Sequence, residues 1–109
     1  MTTRLDGTNG VLQSYDYQAL TTGFSYTFAA GTQVLIINPA GTLATGTITM
    51  PAAPVDGMTV RFSSSQIITL LTVSANSGQS IVGAVTSLVL GGSAQYLYRA
   101  TNTTWYRIA

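Results

Sequence analysis

Phe24-Ser25-Tyr26-Thr27-Phe28-Ala29-Ala30-Gly31 is the stretch that decides how this chain is read. Three aromatic residues at every second position, separated by hydroxyl residues, carry the period of two that sends one row of side chains into a core and the other to solvent. A helix would scatter the same residues around its circumference. Ala29-Ala30-Gly31 then closes the strand at a turn. Working outward, Gln33 to Asn38 forms a nearly continuous apolar strand, ended by Asn38-Pro39-Ala40-Gly41, where Pro39 has no backbone donor to give a ladder. Leu43 to Met50 sets Thr45, Thr47 and Thr49 against Gly46, Ile48 and Met50, a strand with one hydroxylated face. Pro51 to Gly57 cannot continue a ladder, and Asp56-Gly57 turns the chain into Met58, Val60 and Phe62, alternating with Thr59, Arg61 and Ser63. Ile67 to Ser74, Ser80 to Val82, Val85 to Leu90, Gln95 to Arg99 and Trp105 to Ile108 follow as short strands between Gly- and Asn-rich turns.

This pattern predicts an all-β fold: a compact antiparallel sandwich, barrel or β-prism-like domain of about eight to ten short strands. The expected core is Phe24, Tyr26, Phe28, Leu35, Ile37, Ile48, Val60, Phe62, Ile68, Leu70, Val89, Tyr96 and Trp105. No exact internal repeat is visible, which argues against a solenoid. At the N-terminus, Asp6-Gly7-Thr8-Asn9-Gly10 contains two pairs that tolerate positive φ, so residues 1–10 read as an extended arm and turn and residues 11–109 as a single β domain. The arm, Met1 to Leu5, is too short and polar to fold alone and is expected to order by adding to a neighbour as an edge strand. The chain reads as complete, with no h-region of a signal peptide and no apolar run near the roughly 20 residues of a membrane helix.

Charge narrows the functional classes. Four Arg and three Asp make up 6% of 109 residues, with no Lys, Glu, His or Cys. Ordinary domains carry roughly a quarter charged residues, so the ionic layer is thin and part of the surface is expected to face a partner. Arg4, Arg61, Arg99 and Arg107 form no run, which disfavours nucleic acid. Serine catalysis fails for want of a base beside Ser63, Ser64 or Ser65. Asp6 with Asp16 could be imagined as a glycosidase pair, but Asp6-Gly7 and Asp56-Gly57 are ordinary turn pairs, and three scattered carboxylates offer no calcium cage. The reading is noncatalytic, without cofactor or metal.

Aromatic residues remain as candidates. Tyr96, Tyr98, Trp105 and Tyr106, beside Arg99 and Arg107, close the terminal hairpin, stack on a sugar or meet a protein. Alternation assigns Tyr96 and Tyr98 to one face and Trp105 with Arg107 to another. Tyr15, Tyr17, Phe24, Tyr26 and Phe28 adjoin the arm and divide in the same way between core and interface. The candidate interface is therefore Arg4, Leu5, Tyr15, Tyr17, Phe24, Tyr26, Tyr98, Trp105, Tyr106 and Arg107.

The segment from Pro51 through Asp56-Gly57 to Phe62, followed by Ile67 to Val73, Gly78-Gln79-Ser80-Ile81-Val82-Gly83, Leu88-Val89-Leu90, Gly91-Gly92-Ser93, Tyr96-Leu97-Tyr98 and Thr104-Trp105-Tyr106-Arg107-Ile108, resembles structural modules of tailed bacteriophages, especially fibre and virion-surface proteins. The likeness covers roughly the last 60 residues. It implies a homotrimeric virion component, synthesised in the host cytoplasm and carried on the particle surface, with no catalytic residue to transfer. A small separate β protein suits capsid decoration, with the chain itself and the major capsid protein as partners. A tail-fibre or tail-tip module contacting a host-surface glycan is the alternative, and a generic β interaction domain the third reading. Neither nucleic acid nor membrane insertion is expected.

Overall fold

The computed structural model describes residues 4–6 and 10–109, with side chains from residue 13 onward. Eleven strands follow in chain order: β1 (Arg4–Asp6), β2 (Gly10–Leu12), β3 (Tyr15–Gln18), β4 (Phe24–Thr27), β5 (Val34–Ile37), β6 (Leu43–Thr49), β7 (Thr59–Ser64), β8 (Ile68–Ser74), β9 (Ser80–Val82), β10 (Ser93–Arg99) and β11 (Thr104–Arg107), with one 3-10 turn at Ala100–Asn102. The all-β class agrees with the sequence reading, as does the number of strands in the six- and three-stranded sheets, β3 to β11; β1 and β2 form a separate pair.

Strand direction does not. β3, β5 and β7 lie side by side in parallel, and β4, β6 and β8 do the same in a second sheet. The chain therefore winds through three coils, each giving one strand to each sheet, in place of the expected antiparallel hairpins. The reason lies at the turns. Ala29-Ala30-Gly31 and Asn38-Pro39-Ala40-Gly41 carry the chain from one sheet across to the other, whereas a hairpin would return it within the same sheet. Alternation reports which face of a strand is buried and is silent about the direction of its neighbour. The winding is solenoid-like without a repeat in sequence, because the register pairs Tyr15 with Val34 and Val34 with Arg61, coils of unequal length and unlike residues.

The core lies between the two sheets. Leu35, Ile37, Val60 and Phe62 from one meet Ile48, Ile68, Leu71 and Val73 from the other, all buried. Each such side chain contributes roughly 1.5–3 kcal/mol of burial free energy. Two expected core residues are exposed. Leu70 (57% exposed) lies outside because β8 buries Ile68 and then Leu71, skipping a phase. β6 makes the same skip between Leu43 and Gly46, and the two strands are in register there, so the break propagates from coil to coil. Gly46 is required at that point, since a Cβ would run into the ring of Phe24 on β4. Val89 (71% exposed) sits in a turn closed by Gly92 N–H on its carbonyl. The expected strand Val85 to Leu90 is reduced to a bridge, Ile68 opposite Leu88, with Thr86 accepting from Leu71.

These contacts close the last coil. β10 pairs antiparallel with β7 and β11 antiparallel with β10, while β9 lies parallel to β11. Tyr98 and Trp105 are opposite each other on the same inner face, with ring centroids 5.0 Å apart, and Tyr96 stacks on Phe62 at 6.1 Å. Tyr96, Tyr98 and Trp105 thus share one face, correcting the division expected from the sequence. Asp56 serves as the turn residue anticipated: Gly57 has φ 80°, and the Asp56 carboxylate accepts from the Ala100 amide at 2.9 Å.

At the other end, β1 and β2 pair antiparallel with each other, Arg4 opposite Leu12. The expected arm residues 1–3 and the turn residues 7–9 lie outside the described residues, as do the side chains of Arg4 and Leu5.

Candidate interaction surface on the first coil

β3 is an edge strand of its sheet, β9 being the other, so one side of its backbone has no neighbour among the described strands. Tyr15 is 64% and Tyr17 55% exposed. Their position follows from strand alternation: Asp16 and Gln18 turn inward, half-buried, and the two tyrosines turn out together. The parallel register sets Tyr15 beside Val34 and Tyr17 beside Ile36, which extends the tyrosine pair into an apolar strip on the same outer face.

Polar groups fix the strip's borders. Asn38 Nδ2 donates to the Tyr17 hydroxyl at 2.5 Å, and the Ser65 hydroxyl donates to Asn38 Oδ1 at 2.5 Å. Arg61 donates through Nη2 to Gln13 Oε1. Three coils are tied together by these bonds, because Tyr17, Asn38 and Ser65 belong to successive turns of the winding.

Beneath the strip, the inside of the first coil is closed by a polar cluster. The Tyr26 hydroxyl donates to Asp16 Oδ2 at 2.8 Å, and Gln18 Nε2 donates to Asp16 Oδ1 at 2.9 Å. The bond spans the two sheets, β4 to β3. Burial pushes the Tyr26 phenol well above its ordinary range, and the Asp16 carboxylate adds to the shift by accepting its proton and opposing a second negative charge. Asp16 is thereby occupied as an acceptor by two donors and holds no proton-transfer partner of histidine or lysine type. Among the described residues, no group of three or more His, Cys, Asp or Glu is placed to hold a metal ion.

The other sequence candidates separate. Phe24, Tyr98 and Trp105 are core side chains, with Trp105 fully buried and its indole N–H donating to Gln79 Oε1 at 2.8 Å. Tyr26 is half-buried in the polar cluster. Tyr106 is half-buried and accepts from Asn102 Nδ2 at 2.6 Å, while Arg107 is exposed, its Nε donating to the Ala109 carbonyl at 3.1 Å. Ser64 and Ser65 spend their hydroxyls on Gln66 and Asn38, as a polar loop does. Sequence reasoning missed Val34, Ile36 and Asn38 as parts of the surface. Only the parallel register brings them beside Tyr15 and Tyr17, and no linear spacing carries that signal.

A concavity of about 380 Å³ opens at the corners between the sheets, lined mainly by Ala30, Gly31, Pro51, Val55 and Met58. Asp56 at its rim is already committed to the Ala100 amide. Compared with known proteins, the chain matches no family model and no curated relative.

Proposed function

We propose that this chain is a noncatalytic structural protein of a tailed-bacteriophage particle, decorating and stabilising the capsid shell. The virion assignment rests on the resemblance of its last 60 or so residues to phage structural modules. The observation that supports a docking role is the strip of Tyr15, Tyr17, Val34 and Ile36, an aromatic and aliphatic surface on a charge-poor sheet. Tyrosine supplies large contact area at low entropic cost, which suits the centre of a protein interface. Many copies held on a shell stabilise it by mass action.

The experiment is binding of the purified protein to purified shells lacking it. Replacing Tyr15 and Tyr17 together by Ala is expected to weaken binding by at least about tenfold, near 1.4 kcal/mol, with the far-ultraviolet circular dichroism unchanged. Unaltered affinity removes the strip as the docking face. Host-glycan recognition by a tail module is the second reading, favoured by the Asn38, Ser65, Gln13 and Arg61 groups bordering the two rings. Copy number separates the two: hundreds per particle mean decoration, and a few to a few dozen mean tail.

A further inference from the structure

Small residues leave a gap where two corners of the winding meet. Ala29-Ala30-Gly31 lies between β4 and β5 and Pro51-Ala52-Ala53-Pro54 between β6 and β7, and their short side chains do not fill the space between them. The result is the concavity of about 380 Å³, lined predominantly by apolar groups of Ala30, Gly31, Pro51, Ala53, Val55 and Met58. Its size lies within the range of small-molecule sites. The walls are held before any ligand arrives. The Thr32 amide donates to the Ala29 carbonyl at 3.1 Å, the Met58 amide to the Val55 carbonyl at 3.1 Å, and the Gly57 amide to the Tyr98 carbonyl at 2.9 Å. Gln79 Nε2 donates to the carbonyls of Pro51 and Ala52, at 3.0 and 3.2 Å, which pins the second corner to the cap. A site organised in this way loses little freedom on binding.

Two groups in the lining decide what fits there. Val55 is 68% exposed, an aliphatic side chain left open to solvent. Asp56 is the one charged residue in the lining, and the Ala100 amide occupies only its Oδ1. Among the described residues, Oδ2 accepts no hydrogen bond and Asp56 makes no ion pair, with Arg99 or with any other cation. An apolar molecule without a donor would strip water from Oδ2 and leave it unpaired, and an anion would be repelled. We propose that the cavity binds a small amphiphilic cation, an apolar body carrying a primary ammonium and amounting to about a dozen heavy atoms at most. The ammonium donates a charge-assisted hydrogen bond to Asp56 Oδ2, while the apolar body lies against Ala53, Val55 and Met58. The cavity shares no lining residue with the Tyr15–Tyr17 strip, so the site stands or falls without reference to shell docking.

The test is titration of the full chain at neutral pH with phenethylamine, followed by amide chemical shifts, with phenylethanol and phenylpropionate as the neutral and anionic counterparts. Shifts confined to the amides of residues 30–33 and 52–58 are expected, with a dissociation constant of about 1 mM for a ligand this small. Asp56→Asn keeps an acceptor for the Ala100 amide while removing the charge. It is expected to weaken phenethylamine about threefold to tenfold and to leave phenylethanol unchanged. Ala30→Trp, at an exposed side chain, places a ring in the cavity and should abolish binding with the circular dichroism and Tm of the wild type. Should that variant fail to fold, Val55→Ser is measured in its place, and a weakening of about threefold or more is expected. Absence of shifts at ten times the expected dissociation constant overturns the proposal. So do shifts centred on residues 15–17 and 34–36, equal affinity for phenylpropionate, or binding indifferent to Asp56→Asn.

Discussion

Two single residues show how little freedom the first two coils have. Gly46 has no side chain because the ring of Phe24 lies against its backbone, so Gly46→Ala forces a core aromatic to move. Overpacking of this kind costs about 1–3 kcal/mol, to be read as a lowered urea midpoint at unchanged m value. Tyr26 makes a different prediction. Its phenol is held protonated in the folded state by burial and by Asp16, whereas in the unfolded chain it ionises near pH 10. Above that pH the unfolded state releases its proton first, so stability is fully present below pH 10 and declines as pH rises beyond it. Tyr96 is shifted in the same direction by burial, against smaller opposing effects of the Val85 amide and Arg107, and adds to the alkaline loss. Tyr26→Phe should therefore be less stable than wild type at neutral pH, by about 0.5–1.5 kcal/mol for the lost hydrogen bond, and should lose less on going from pH 9 to pH 11. Equal losses in the two proteins over that interval would show that Tyr26 does not carry the dependence.

At the level of strands, β4 and β7 were legible because aromatic or branched residues alternate with polar ones, and β5 because a short apolar run lies between turn residues; all three fall where the pattern puts them. Their partners were not legible. Gly31 and Gly57 mark turns equally well whether the chain reverses within a sheet or crosses to the next, and that choice separates an antiparallel sandwich from three parallel coils. The candidate surface was half visible for the same reason. Tyr15 and Tyr17 are neighbours in sequence, but Ile36 and Asn38 reach them only through the register. Long-range polar ties across coils were equally hidden. Gln79, which reads as a turn residue, accepts from the Trp105 indole and donates to the Pro51 carbonyl at 3.0 Å, bracing the cap against the corner before β7. Gln79→Ala leaves a buried indole N–H without its acceptor and is expected to cost about 1–3 kcal/mol. Trp105→Phe in the Gln79→Ala background should cost less than the same change in the wild type, because the orphaned donor is then gone; additivity in that double-mutant cycle would dissolve the link.

Across the molecule, a single apolar core runs from Phe28 in the first coil through Ile48 and Phe62 to Trp105 in the cap, with no break between the coils and the hairpin that closes them. The coils contribute parallel pairings between strands far apart in sequence, and the cap covers the edge of β7 that the coils leave open. Neither part has a complete set of partners without the other, so unfolding should be one event. The sole tryptophan, Trp105, reports on the cap, while circular dichroism reports on every strand. Urea curves from the two signals should superimpose, with one midpoint and one m value. Refolding should be slow for a chain of this size, in the range of about milliseconds to seconds, since no parallel pairing forms until a whole coil has been closed. A tryptophan transition that precedes the circular-dichroism transition would mean that the cap detaches from intact coils. The edge of β7 would then be exposed in a populated intermediate, and aggregation should appear at intermediate urea and grow with protein concentration.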